Sequence, residues 1–264
     1  MLPTQIPVPP TGMVMSPQYD LILGLNVVVL AAVLVWIFRE ARRTSSLIPV
    51  LIMIGAAVAS LEECAFDVVV LVNWAQYGHT PLYRIFDRSV PIWMALAYPW
   101  FIGGMGYWMY SRLKRGMTLK QLWALYFFGW GANLFLEIPA LQIGSIYTYY
   151  GNQPFQILGF PLWMAWTNSL MPILMGALIY TFDNLLTGFR SLLVIALVPM
   201  AVGTAQIVAG WPSWLALNSG AGYSVTRAAA LLTLGLSLVV VYFVGAKSCM
   251  PVSPRFKLQI GGQK

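Results

Sequence analysis

LIPVLIMIGAAVASLEECAFDVVVLVNW, residues 47–74, is the stretch on which the reading of this chain turns. It is apolar and longer than the roughly 20 residues needed to cross a bilayer. Yet it carries Glu62, Glu63 and Asp67. A fourth acid, Glu137, stands in a similar stretch, WGANLFLEIPALQIG, residues 130–144. The chain has eight acids, so half of them occupy apolar surroundings. A charge at the bilayer centre costs at least about 2.5 kcal/mol. Acids persist there only when they face a protein interior and do something in it. The expectation is an integral-membrane protein with a buried acidic site.

Composition agrees. Of 264 residues 59% are hydrophobic and 9% charged, with mean hydropathy +0.74, where a soluble domain averages about 25% charged. No soluble domain is attached. Seven apolar runs of spanning length can be read: Asp20–Phe38, Leu47–Trp74, Val90–Tyr110, Leu119–Ile143, Gly159–Phe182, Ser191–Ala209 and Ser224–Ala246. The fold class expected is therefore all-α and polytopic, with seven transmembrane helices over residues 20–246. Residues 1–19 form a Pro-rich external tail and 247–264 a basic cytoplasmic one. Twelve of the 15 Lys and Arg residues, including Arg39, Arg42, Arg43, Arg112, Lys114, Arg115, Lys120 and Lys247, fall on one side of this arrangement. The positive-inside rule then puts the N-terminus out and the C-terminus in, in a multi-pass protein of the cell membrane. The +7 net charge follows from this asymmetry. Split among short loops, it does not suit nucleic acid. Cys64 and Cys249 lie on different helices, which argues against a disulfide or metal framework.

Glu63 and Asp67 are four apart and share a helix face, whereas Glu62 points roughly 100° away. Two carboxylates on one face in a low dielectric do not both ionise easily, so one is expected to keep its proton. A neutral acid beside an ionised one is what general acid–base chemistry needs. A proton-coupled transporter needs the same. On the fourth run Asn133 and Glu137 again share a face. In an up-down topology the second and fourth runs point the same way, so Glu137 lies at the depth of the Glu63/Asp67 pair. The catalytic candidates are Glu63, Asp67 and Glu137. Glu62, Asn133, Asn168, Trp93, Tyr98, Tyr149 and Trp163 are candidates for binding the substrate. For a tyrosine such as Tyr149 the simpler account is an interfacial aromatic belt; for Asn168 it is helix-to-helix glue. His79 reads as a structural loop residue, and Asp87 with Arg88 as a surface ion pair.

Several motifs are absent. There is no P-loop, GxSxG, HExxH or DDxxD-type run, and no lysine sits mid-helix in the last run, since Lys247 comes at its end. The expectation is chemistry by carboxyl groups, with no metal and no cofactor.

The pattern Glu63/Asp67, Pro91/Trp93/Tyr98, Glu137/Tyr147/Tyr149/Gly151 and Gly159/Pro161/Trp163/Asn168 resembles the bacterial avermectin-type spirocyclase (AveC-like) membrane protein family over roughly residues 60–170. That resemblance implies dehydration and spiroketal formation on a hydroxylated polyketide. The size, helix number and buried acids are also similar to small seven-helix membrane terpene cyclases, which protonate an epoxide or alkene. Those cyclases often carry an acid on the last helix, and this chain has none there. The shared expectation is a cyclase, isomerase or dehydratase acting on a lipophilic small molecule drawn from the bilayer. A proton-coupled transporter or a lipophilic-ligand-binding membrane protein is the rival. Substrate identity and oligomeric state stay open.

Overall fold

The computed structural model describes residues 7–249. The first six residues of the Pro-rich tail and the basic tail from residue 250 onward lie outside the described residues.

The chain is mostly helical. α1 is Tyr19–Thr44. α2, Ile48–Ala59, passes through a 3₁₀ turn, Ser60–Glu62, into α3, Glu63–Val70. After a β-rich loop come α4, Ile92–Tyr98, a π-helical turn at Pro99–Gly103, and α5, Gly104–Lys114. α6 is Leu119–Gln142, opened by a Thr118–Gln121 capping box. α7, Leu162–Asn168, and α8, Leu170–Phe182, follow, then α9, Val194–Asn218, and α10, Tyr223–Ser248.

Among the described residues six helical rods are long and apolar enough to cross a membrane: Tyr19–Thr44, Ile48–Val70, Leu119–Gln142, Leu162–Leu185, Gly188–Asn218 and Tyr223–Ser248. This marks a polytopic membrane protein. The remaining rod, residues 92–114, falls short in hydropathy because Trp93, Tyr98, Pro99, Trp100, Gly103, Gly104, Gly106, Tyr107, Trp108 and Tyr110 dilute its aliphatic content. It is nonetheless interior. α5 packs on α8 so closely that a Cβ at Gly176 would come within 2.8 Å of the Tyr110 backbone nitrogen. α9 packs against α2, α8 and α10. Burial follows this order: 78% of the apolar window of Leu162–Leu185 is buried, against 11% of that of α1. α1 therefore turns most of its Leu and Val side chains outward.

One expectation needs correction. The second run does not stay helical to Trp74: Leu71 takes a left-handed conformation, φ 59°, and ends α3. The mostly helical fold agrees with the all-α class and adds short ribbons to it. Three two-stranded ribbons cap one end of the bundle: β1 (Val72–Trp74) with β4 (Tyr147–Tyr149), β2 (Pro81–Ile85) with β3 (Arg88–Pro91), and β5 (Gln156–Ile157) with β6 (Phe160–Pro161). The second turns through Phe86 and Asp87, both at positive φ, and the third through Leu158 and Gly159, likewise. Two successive positive φ values match the twist of a two-residue hairpin. The Pro-rich segment docks on this cap. The Met15 N–H donates to the Tyr77 carbonyl at 2.9 Å, and Asn73 Nδ2 to the Pro10 carbonyl at 2.8 Å.

Candidate functional site

The β1–β4 ladder positions the site. Its register, Val72↔Tyr149, Asn73↔Thr148 and Trp74↔Tyr147, ties the end of α3 to the chain leaving α6. Glu63 and Asp67, one turn apart on α3, and Glu137, near the end of α6, are thereby drawn to one cavity of about 340 Å³. The three acids are close enough for their charges to interact.

Each acid takes one hydrogen bond from an aromatic side chain. The Tyr98 hydroxyl donates to Glu63, Trp74 Nε1 donates to Asp67 Oδ2 at 2.5 Å, and the Tyr147 hydroxyl donates to Glu137. None of the three forms a salt bridge among the described residues. Arg88, buried at 5% exposure, is close enough for its charge to act on Asp67. Its Nη2 donates to the Tyr150 hydroxyl at 2.8 Å. Arg88 thus turns inward and forms no ion pair with Asp87, which corrects the surface pair expected from sequence. The hairpin explains this: Asp87 sits in the turn and Arg88 starts β3.

The walls are aromatic. Trp74 lies 6.3 Å from Trp93 and 4.7 Å from Tyr147, ring centroid to centroid, and Tyr147 lies 5.9 Å from Tyr149. Burial raises the Tyr147 and Tyr149 phenols well above their ordinary pKa. Both therefore stay protonated at neutral pH, and Tyr147 stays a donor. Aromatic faces within about 6 Å of a cation stabilise it, so this lining tolerates positive charge that the acids could generate.

The inner wall carries a chain of amides. Asn133 Nδ2 donates to the Gly129 carbonyl at 2.8 Å, Asn168 Nδ2 to Asn133 Oδ1 at 3.0 Å, and Gln206 Nε2 to Asn168 Oδ1 at 2.7 Å. A carbonyl only accepts. The Gly129 oxygen therefore fixes which way each amide faces, and the chain ends on Gln206 Oε1, which is buried with no partner among the described residues. Trp93 Nε1 is likewise buried and unpartnered.

Glu63, Asp67, Glu137, Asn133, Asn168, Trp93, Tyr98 and Tyr149 all line the cavity. Two candidates do not. Glu62 lies outside it, with its carboxyl against Gly203 of α9, 3.4 Å from where a Cβ would stand. The 3₁₀ turn is the cause: Ser60 Oγ bonds back to the Ala57 carbonyl at 2.7 Å, and the Tyr83 hydroxyl takes the Ser60 carbonyl at 2.6 Å. Trp163 is fully buried and donates Nε1 to Gln153 Oε1 at 3.1 Å, holding the cap rather than facing the cavity. His79 Nε2 lies 2.8 Å from the Ala75 carbonyl, within the loop.

Sequence reasoning did not single out Trp74, Arg88, Gln206 or Asn26 as site residues. Asn26 accepts from Trp100 Nε1 at the cavity wall. Asn26 and Gln206 did carry a signal, each being an amide inside an apolar helix. Trp74 and Arg88 reach the site only through strand pairing. No protein-family model matches the chain, and neither does any curated protein or solved structure.

Proposed function

We propose that this protein is a membrane-embedded cyclase, isomerase or dehydratase that works on a lipophilic polyketide or terpenoid by carboxylic-acid general acid–base catalysis. The observation that carries the reading is the trio Glu63, Asp67 and Glu137 in one aromatic-walled cavity, each acid holding a single aromatic donor and no ion pair. In this reading a neutral acid, Asp67, protonates an oxygen or alkene of the substrate. The ring faces of Trp74, Trp93 and Tyr147 stabilise the resulting cation. An ionised partner, Glu63 or Glu137, removes a proton to release product. The motif resemblance to avermectin-type spirocyclases agrees with this chemistry.

The topology proposed with it has seven crossings, the aromatic rod 92–114 being the third, in the cell membrane with the capped end outside. Lys114, Arg115 and Lys120 at the opposite end support that orientation.

The test is to compare lipid extracts from cells expressing the parent with those expressing Glu63→Gln, Asp67→Asn and Glu137→Gln. The parent should yield an isomeric or dehydrated product that at least one correctly inserted amide variant loses by about 10²–10⁴-fold. Identical extracts from all four would end the enzyme reading. Loss of proton-driven uptake into vesicles, with no chemical product, would put a transporter in its place.

A further inference from the structure

A second hollow, about 860 Å³, runs along the flank between α1, α5 and α6. Trp36, Trp108 and Phe128 are among its walls, and it is almost wholly apolar. At one end it abuts the acid cavity, since Trp100, Phe101, Phe135 and Leu136 line both. At the other end stand Arg112 and Gln121. On α6 the distance from Leu136 to Gln121, at about 1.5 Å per residue, is roughly 22 Å. The groove faces outward, on helices whose apolar side chains are bare: Phe128 is 65% exposed and Phe135 79%.

Arg112 differs from its basic neighbours. Lys114 pairs with Asp183 and Arg115 with Glu40, but Arg112 has no carboxylate partner among the described residues. Its guanidinium carbon lies 5.8 Å from the Trp108 ring centroid, and its Nε is buried with no hydrogen-bond partner. A planar donor fork left open at the end of an apolar groove suits an oxyanion attached to a long chain. Arg42, Arg43, Lys114, Arg115 and Lys120 gather at the same end against Glu40 and Asp183. This excess of positive charge selects a net anionic lipid over a zwitterionic one.

We propose that this groove is a binding site for an anionic phospholipid, with the phosphate on Arg112 and one acyl chain along α6. One leaflet is about half of the roughly 30 Å hydrocarbon core, so a chain that starts beside Gln121 and follows α6 to that depth ends near Gly131 and Ala132, about 7 Å short of Leu136. Its tip points toward the wall that the groove shares with the acid cavity. The inference needs only the membrane setting and holds whether or not the cavity is catalytic.

The full-length protein, purified in detergent, should be offered phosphatidylglycerol and phosphatidylcholine with identical chains and examined by native mass spectrometry. The parent should retain phosphatidylglycerol about fivefold more strongly, as one basic residue at a lipid surface supplies. Arg112→Gln should erase that preference while both lipids still bind. Lys120→Gln, on the same end but outside the groove, should weaken it far less than Arg112→Gln does. Ala132→Trp should fill the groove and weaken retention of both lipids; Ala124→Trp tests the same space should the first variant misfold. Equal retention by the parent, a preference that survives Arg112→Gln or vanishes equally in Lys120→Gln, or undiminished retention in a folded groove-filling variant would each overturn the site.

Discussion

Both ends of the bundle pair carboxylates with tyrosines, but among the described residues only one end adds salt bridges to them. At the uncapped end Glu40 accepts from the Tyr107 hydroxyl at 2.9 Å, with Arg43 at 2.6 Å and Arg115 at 3.7 Å. Asp183 there accepts from Tyr110 and pairs with Lys114 at 3.0 Å. At the capped end Glu63 and Glu137 hold Tyr98 and Tyr147 and form no salt bridge among the described residues. The same local motif therefore has two uses. With cations alongside, it is a partly exposed ion-pair cluster that fastens helix ends. Without them, it is a set of acids whose protonation depends on what else enters the cavity.

The largest effect expected from this contrast is on chemistry. Glu63→Gln, Asp67→Asn or Glu137→Gln should cost turnover about 10²–10⁴-fold, and Glu40→Gln and Asp183→Asn should leave it within about threefold. A product assay in which the two ends lose activity alike would dissolve the distinction. A smaller effect is expected from the amide chain. Gln206→Met leaves Asn168 Oδ1 without its donor but also removes the unpartnered Gln206 Oε1, so the net cost is that of one hydrogen bond, about 0.5–1.5 kcal/mol. Chemical denaturation in mild detergent should register that loss, and an unchanged midpoint would show that the chain is not a structural unit. The tyrosines come next. Tyr98→Phe and Tyr147→Phe should lower turnover about tenfold by removing one hydrogen bond from a reacting acid, whereas Tyr110→Phe should not. Equal turnover in all three hydroxyl-deleted variants would mean that the donors do no more at one end than at the other. The smallest effect belongs to the ion pairs. Asp183→Asn should cost about 1 kcal/mol or less, and the difference from the parent should fade at 1 M salt, where the screening length is about 3 Å. A salt-independent difference would indicate that this pair is not acting as a solvent-screened charge.

The helical rods were legible in the sequence because a run of apolar residues of spanning length is a signal of composition. The rod 92–114 is the exception that explains the rule, since its Trp, Tyr and Gly content suits a protein interior more than a lipid face. The acids were legible because they are so out of place in such runs. That Glu62 diverges from Glu63 follows from helical spacing, but its seat against Gly203 depends on the 3₁₀ turn at Ser60–Glu62, which spacing does not reveal. Trp163 looked like a wall residue and instead holds Gln153. Three-residue strands such as Val72–Trp74 and Tyr147–Tyr149 are too short for alternation to declare itself. Trp74 and Arg88, which come to Asp67 through strand pairing, could not be read for that reason. The end of α3 was obscured as well, because Leu71 is an aliphatic residue in a conformation that usually signals glycine.

The β1–β4 ladder also has a consequence in time. Trp74 leaves the ribosome with the second helix, but its partner Tyr147 follows only after α6 has been made. During that interval Glu63 and Asp67 sit in the nascent chain without the strand that closes over them, and for most of it without Glu137. Insertion of the early helices and completion of the acid cluster are thus separate events, and a chain truncated before residue 137 carries two of the three acids and no site.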